Sequence, residues 1–378
     1  MNPATSTEKP REIKTSGVFF MVHYRWFHFA TMYIAMYKFK KRKSLTSPLC
    51  LLYCNPEKKE HETKPAEGGT GLTIYFAPME GITDGILRQV HHRIFGGIDV
   101  YCLPFHRLTQ SLSLLTREER DIAPEENEGL NVLPQALTRD PEQLSAWLYY
   151  ISECGYSCAD LNIGCPSPTV TRRGRGSAML QDPACLRSFL DRLFSNTLPA
   201  ALSIKTRIGY ESTEEWPELA DLFADYPFAH VTIHVRTTRE QYTGMTHPEA
   251  FELALQKGIP HPVYNGDLRT AEDVQRFAER FPTAGAVMIG RGLLADPALA
   301  RRIRGGEAAN EEELRTWYTA LYEGWKDRFD RTIALGRIKK LMEWPSEGDI
   351  RRKRLLRRAD DIESCISAVT GKQISAFG

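Results

Sequence analysis

Eight short β-rich runs alternate with stretches of helical period between Leu72 and Gly290, and this alternation limits the possible folds more than any other feature of the chain. The runs are 72–77, 98–103, 131–136, 158–163, 201–207, 229–235, 262–265 and 286–290. Strands separated by helix-length segments pair in parallel, because the crossover helix returns the chain to the same end of the sheet. Eight such units within about 230 residues predict an α/β fold, a TIM (β/α)8 barrel, followed by a small C-terminal all-helical domain. A doubly wound open sheet would place a glycine-rich turn after its first strand, where this chain reads Ala77-Pro78-Met79-Glu80-Gly81. After that turn Thr83 and Asp84 are suited to cap a helix whose Ile86, Leu87, Val90 and Ile94 share a face, with Gly96-Gly97 ending it. Pro134 falls inside the third run, where it removes a ladder donor and allows a bulge.

Three regions are expected: an N-terminal extension over 1–71, the barrel over 72–306 and the helical domain over 307–378. In the last, Leu314, Trp317, Tyr318, Leu321, Tyr322, Trp325 and Phe329 follow helical spacing. The extension holds an aromatic-rich stretch from Gly17 to Tyr37 interrupted by His23, Arg25 and His28, which are costly in hydrocarbon, and then the block Lys40-Lys41-Arg42-Lys43. It is read as lying outside the fold, with membrane contact only if it is physiological. Net charge is +1, but residues 1–71 and 331–360 each carry a surplus of +6, which leaves −11 for the rest. Positive potential concentrated at the two ends points to a polyanionic partner. The 42% hydrophobic and 26% charged content excludes a disordered tail, a collagen-like fibre and a multi-span membrane protein. Eight scattered cysteines fit a reducing, cytoplasmic setting, and nothing implies a stable protein partner, so a monomer is expected.

Strand parity sorts the polar residues. With Leu202, Ile204, Thr206 and Ile208 facing the outer helices, Ser203, Lys205 and Arg207 face the barrel interior. The same count turns Asp160 and Asn162 inward from the fourth strand, Thr232, His234 and Arg236 from the sixth, and Gln135 from the third. Any one of these could be a satisfied interior residue. Their coincidence at the C-terminal ends of four strands, where such barrels build active sites, favours function. Cys165 in Asp160-Leu161-Asn162-Ile163-Gly164-Cys165-Pro166-Ser167-Pro168 follows a strand and opens a loop over the barrel mouth. No second Cys or His lies at zinc-ligand spacing nearby, and Cys154 and Cys158 are read as packing residues, so no metal is expected.

These segments resemble the tRNA-dihydrouridine synthases. The matching pieces are Ala77 to Asp84, Gln135, Asp160 to Pro166, Gly176-Ser177-Ala178-Met179-Leu180, Lys205 to Gly209, His234 to Thr237, Asn265-Gly266-Asp267 and Gly285 to Gly292. Together they span roughly residues 72–345 in the family's order, and their wording is most similar to the uridine-16 branch. The resemblance implies bound FMN, NADPH as reductant, and reduction of the 5,6 double bond of uridine in tRNA, with Cys165 as general acid. It also implies that Pro78, Met79 and Glu80 line the isoalloxazine, Gln135 bonds its polar edge and Lys205 sits by its pyrimidine ring. His234, Asn265, Gly266, Asp267, Gly290 and Arg291 complete the cofactor site, with Gly266, Gly290 and Arg291 at the phosphate. Asn162 and Arg236 are expected at the substrate. The basic residues Arg337, Lys339, Lys340, Arg351, Arg352 and Arg354 are expected to grip the tRNA backbone, with Arg172, Arg173 and Arg175 adding to them. Two departures stand out: Pro168 where many members have Lys, and Val235 where many have Gly. The alternatives are another FMN barrel acting on a small molecule, of dihydroorotate or enoate reductase type, and a non-catalytic RNA-binding protein.

Overall fold

Alternation of aliphatic and polar residues gives each strand one face for the surrounding helices and one for the interior, and the strands form where that alternation predicts. In the computed structural model, residues 71–109 and 116–370 are described, so the expectations for residues 1–70 lie outside the described residues. The barrel strands are β1 (Thr73–Phe76), β2 (Val100–Cys102), β3, β4 (Cys158–Ile163), β5 (Ala201–Arg207), β6 (Val231–His234), β7 (Pro262–Asn265) and β8 (Ala286–Ile289). All neighbours pair in parallel, and β8 pairs with β1.

Pro134 splits β3 into Val132–Leu133 and Gln135–Leu137. The first piece pairs with β2, with Tyr101 opposite Val132, and the second with β4, with Gln135 opposite Asp160. The proline cannot donate, but its carbonyl accepts from the Asp160 N–H at 2.8 Å. The strand is thus handed from one neighbour to the other across the proline, and the ring of eight closes there. A two-residue strand, His106–Arg107, lies against the second piece of β3.

Helices follow the strands in turn: α1 (Gly85–Ile94), α2 (Thr116–Ile122), α3 (Pro141–Glu153), α4 (Pro183–Phe194), α5 (Trp216–Ala224), α6 (Pro248–Gln256), α7 (Ala271–Arg280) and α8 (Arg291–Ala295). Asp84 caps α1 by accepting from the Leu87 N–H. Gly97, at φ +78°, follows its end where a Cβ would lie 2.8 Å from the Ala300 carbonyl carbon. Leu202, Ile204, Val231, Ile233 and Val235 are fully buried between strands and helices.

After a short helix at Leu299–Ile303 come α9 (Glu311–Lys326), α10 (Arg331–Met342), α11 (Ile350–Arg358) and α12 (Ile362–Thr370). The apolar face of α9 is buried, with Trp317, Tyr318, Leu321 and Trp325 all 3% exposed or less. It packs on α1, where a Cβ at Gly324 would approach Ile86 Cγ2 to 2.9 Å. Trp325 Nε1 donates to Asp84 at 2.9 Å, and Arg337 forms an ion pair with the same carboxylate. The cap of the first barrel helix is therefore also the anchor of the C-terminal helices. Among the described residues, no helix is long and apolar enough to cross a membrane.

Candidate active site

Register aligns the polar ends of the strands. Asn162 lies opposite Lys205, Arg207 opposite His234, and His234 opposite Asn265. They border a cleft of about 380 Å³ at the barrel mouth, together with Pro78, Met79, Glu80, Cys165, Gly266, Asp267, Gly290 and Arg291.

Cys165 is held by a chain of hydrogen bonds that begins inside the barrel. Asp160 accepts from Ser203 Oγ at 2.7 Å and from Gln135 Nε2 at 2.7 Å. Gln135 Oε1 then accepts from Asn162 Nδ2 at 2.9 Å, and Asn162 Oδ1 accepts the N–H groups of Gly164 and Cys165 at 3.1 and 2.9 Å. The Cys165 carbonyl accepts from Ser177 N–H and Oγ. Burial raises the Cys165 thiol above its ordinary pKa; a backbone bond at Ser167 and the cations Arg207 and Lys205 oppose the rise without cancelling it. The thiol form dominates at neutral pH.

Lys205 Nζ donates to Asn265 Oδ1 at 2.8 Å, and Asn265 Nδ2 donates to the Met288 carbonyl, which fixes the orientation of the amide. Burial, with Arg207 nearby, pulls the Lys205 ammonium down to about 8. Arg207 donates to the carbonyls of Gly164 and Thr237, while its Nη2 is buried without a partner. Burial and then the charges of Arg207, Lys205, Arg236 and Arg291 push His234 well below its ordinary value, so its imidazole is neutral. Asp267 accepts from both Arg236 and Arg291. Burial alone would raise its carboxyl, but these two arginines hold it below the usual range.

Most of the residues expected at the cofactor share the cleft. Gln135 does not border it: it is 1% exposed, with its amide oxygen bonded to Asn162 and its amide nitrogen to Asp160. Arg236 is 2% exposed and engaged by Asp267 and the Gly244 carbonyl, so it reaches the site only through Asp267. Glu80 pairs at the rim with Arg107 and Arg117. Arg337 lies apart from the exposed basic residues of the helical region, paired with Asp84 and stacked on Trp325. Lys340, Arg351 and Arg354 are exposed, and Lys339 and Arg352 half-buried. Arg207 and Tyr242 are among the cleft residues absent from the expected site. Arg207 shares the parity of Lys205, which was the signal for it. Tyr242 sits in an irregular loop after β6, where periodicity carries no information; Arg207 Cζ lies 5.3 Å from its ring centroid.

Residues 75–372 match the family model described as dihydrouridine synthase. The tRNA-dihydrouridine(16) synthase of Aquipseudomonas alcaligenes is 33% identical over 255 residues, covering 65% of this chain and 79% of that protein. Its namesake in Pseudomonas syringae pv. tomato is 32% identical over 254 residues with the same coverage. A Bacillus subtilis protein named probable tRNA-dihydrouridine synthase 2 is 29% identical over 231 residues, 58% of this chain and 69% of that one. Among solved structures, a morphinone reductase aligns with a TM-score of 0.44 at 12% identity, over 63% of this chain and 87% of that one.

Proposed function

Because the chain belongs to the dihydrouridine synthase family, we propose that it reduces the 5,6 double bond of a uridine in tRNA, with FMN in the barrel-mouth cleft, NADPH as reductant and Cys165 as proton donor. The names of the relatives support position 16 as the target. The observation that carries this reading is the meeting, in one cleft, of a thiol kept protonated and the cationic groups of Lys205, Arg207 and Arg291.

The donor set suits FMN. Four cations (Lys205, Arg207, Arg269 and Arg291) and a neutral imidazole face two carboxylates, Glu80 and Asp267, a balance that favours an anionic, oxygen-rich ligand. Pro78 and Met79 would flank the ring system, Lys205 its polar edge, and the first N–H groups of α8, with Arg291, the phosphate. When bound, FMN supplies the hydride chemistry that no side chain here can provide.

The protein's own part is to place the base and deliver one proton. Cys165 gives its proton to C5 of uracil and recovers it from solvent. Asn162 holds the loop that aims the thiol. The Arg207 guanidinium and the Tyr242 ring, beside one another at the cleft, would take a uracil carbonyl and the base face. A base extruded from the tRNA stack reaches this depth only if the backbone is held meanwhile. Exposed Lys340, Arg351 and Arg354, with Lys339 and Arg352 beside them, provide that hold from α10 and α11. Exposed Arg172 and Arg173 and half-buried Arg175 add to it from the loop after Cys165.

The test is Cys165→Ala assayed with unmodified tRNA, NADPH and FMN, scoring dihydrouridine by mass spectrometry of the nucleosides. The variant should bind FMN with the wild-type visible spectrum and lose product at least a hundredfold. Full activity in the variant overturns the proton-donor role, and a wild-type protein that takes up no FMN overturns the cofactor assignment.

A further inference from the structure

Tyr242 roofs the cleft from the loop between β6 and α6. Its ring centroid lies 5.9 Å from that of His234, and the guanidinium carbons of Arg207 and Arg291 lie 5.3 and 5.9 Å from it. Arg291 Nη1 also donates to the Tyr242 carbonyl at 2.9 Å. The side chain is nevertheless 53% exposed, so packing alone does not fix it, and its position depends on the turn that carries it. That turn is tight. Gln241 has φ +50°, in the left-handed region, and a Cβ at Gly244 would strike Glu240 Cβ at 2.6 Å.

One carboxylate ties the two stems of this loop together. Glu240 Oε2 accepts from Thr237 N–H at 2.7 Å and from Thr237 Oγ1 at 3.1 Å on the incoming stem. Its Oε1 meets Nε2 of His247 at 2.7 Å on the outgoing stem, and the His247 N–H is anchored to the Val235 carbonyl at 2.9 Å. The other ring nitrogen of His247, Nδ1, faces Glu249 Oε1 at 3.2 Å. A neutral imidazole has one N–H and can donate to only one of these carboxylates, whereas the imidazolium donates to both.

We propose that Glu240 and His247 are positioning residues for this enzyme: the ion pair of Glu240 with the imidazolium of His247 fixes the loop that holds Tyr242 against the Arg207 side of the cleft, and loss of the His247 proton loosens it. The inference rests on the reading above that Arg207 and Tyr242 face the uracil.

The surrounding charges agree with it. Glu240 faces His247 from the loop and Glu249 from the first turn of α6, and the Arg239–Glu211 pair borders the same pocket. His247 sits at the N-terminal cap of α6, where the helix dipole disfavours a cation, and Glu249 offsets that field. Burial, the largest single influence, would lower the His247 pKa, but the hydrogen bonds and charges of Glu240 and Glu249 together outweigh it and hold the group above its ordinary value. The charged form therefore persists below that raised value, and the tie weakens as pH rises through it.

The experiment compares wild type, His247→Gln, Glu240→Gln, Tyr242→Ala and the double variant His247→Gln/Tyr242→Ala as FMN-loaded enzymes on unmodified tRNA between pH 6 and 9. The KM for tRNA in His247→Gln should rise roughly tenfold at pH 6.5 with a much smaller change in kcat, matching the loss of one charge-assisted bond. The wild-type KM should climb with pH through the His247 pKa measured by NMR, while His247→Gln shows no such climb. If His247 acts through Tyr242, the double variant is no worse than Tyr242→Ala. Wild-type KM and pH profile in both Glu240→Gln and His247→Gln, or losses that add in the double variant, overturn the proposal. Should wild type form no dihydrouridine, the functional reading fails, and the tie is still judged by NMR and by hydrogen exchange across residues 238–244. A His247 pKa at or below 6.5, or loop exchange unaffected by Glu240→Gln, overturns it there.

Discussion

Replacing Arg337 with alanine separates two roles that its charge could serve. The sequence groups Arg337 with the basic residues expected to grip tRNA, whereas the structure joins it to Asp84, with the two side chains only 19% and 15% exposed. Its guanidinium carbon also lies 4.4 Å from the Trp325 ring centroid and 5.3 Å from that of Phe329. Removing one partner of a shielded ion pair costs about 3–5 kcal/mol. Trp325 Nε1 and the Leu87 N–H still bond Asp84 in the variant, which favours the low end of that range. The lost cation–π stacking adds about 1 kcal/mol. The sum, about 4 kcal/mol, corresponds to a fall in Tm of roughly 8 °C at about 2 °C per kcal/mol for a chain of this size. Calorimetry of the FMN-loaded protein reads that fall, and tRNA affinity across a salt series reads the alternative. Each phosphate contact contributes about 0.7–0.9 to the slope of log affinity against log salt. We expect the lower Tm with an unchanged slope. An unchanged Tm with a slope reduced by about one would refute the structural assignment and return Arg337 to the RNA surface.

Reversing the charge of Arg351, Arg352 and Arg354 together should do the opposite, weakening tRNA binding and flattening its salt dependence while FMN affinity stays the same; unchanged tRNA binding would move the grip elsewhere. With Lys205 drawn down to about 8, its ammonium is lost as pH rises through that value. At saturating tRNA, kcat should therefore decline from about pH 8 upward by as much as tenfold per unit, and Lys205→Arg, slower overall, should shift that limb beyond pH 9. A limb that stays at pH 8 in the variant counts against Lys205. Burial raises the Asp160 carboxyl from 3.8 to about 6. A group raised in the folded state contributes stability below its unfolded value and loses it as pH climbs through the folded one. Asp160→Asn should accordingly compare better with wild type at pH 7.5 than at pH 4.5 in urea unfolding, and an equal difference at both pH values would contradict the buried, ionised carboxylate.

The strands were legible because burial on two faces writes itself into the sequence: β4, β5 and β7 begin and end where alternation and β-branched content place them. Parity likewise turned Lys205, Arg207 and His234 toward one mouth. What parity cannot supply is the partner. Arg236 has the same alternation as His234, yet its charge is spent on Asp267, on the loop after the next strand. Arg337 finds its acid 253 positions away, at the cap of α1. A basic residue read along the chain looks free until the fold brings its carboxylate to it, so sequence overstates the number of arginines available to RNA. Pro134 was legible as a disturbance, but that the barrel closes across it depends on β2 and β4 being its two neighbours.

The chain from Asp160 to Cys165 explains why a buried carboxylate is worth keeping in a barrel interior. An ionised Asp160 can only accept, so Gln135 must turn its amide nitrogen inward and its oxygen toward Asn162. Asn162 must then point its own oxygen at the N–H groups of Gly164 and Cys165. Neither amide has a preferred sense of its own; the charge at one end sets both. A protonated Asp160 could donate to Gln135 instead, and the sequence of donors and acceptors would then be free to reverse, withdrawing the cap from the cysteine loop. The same protonation that relieves the burial cost of the carboxylate thus disorganises the loop that aims the thiol. Stability and alignment pull in opposite directions at this residue, and a working range above about pH 6 is the side on which alignment wins.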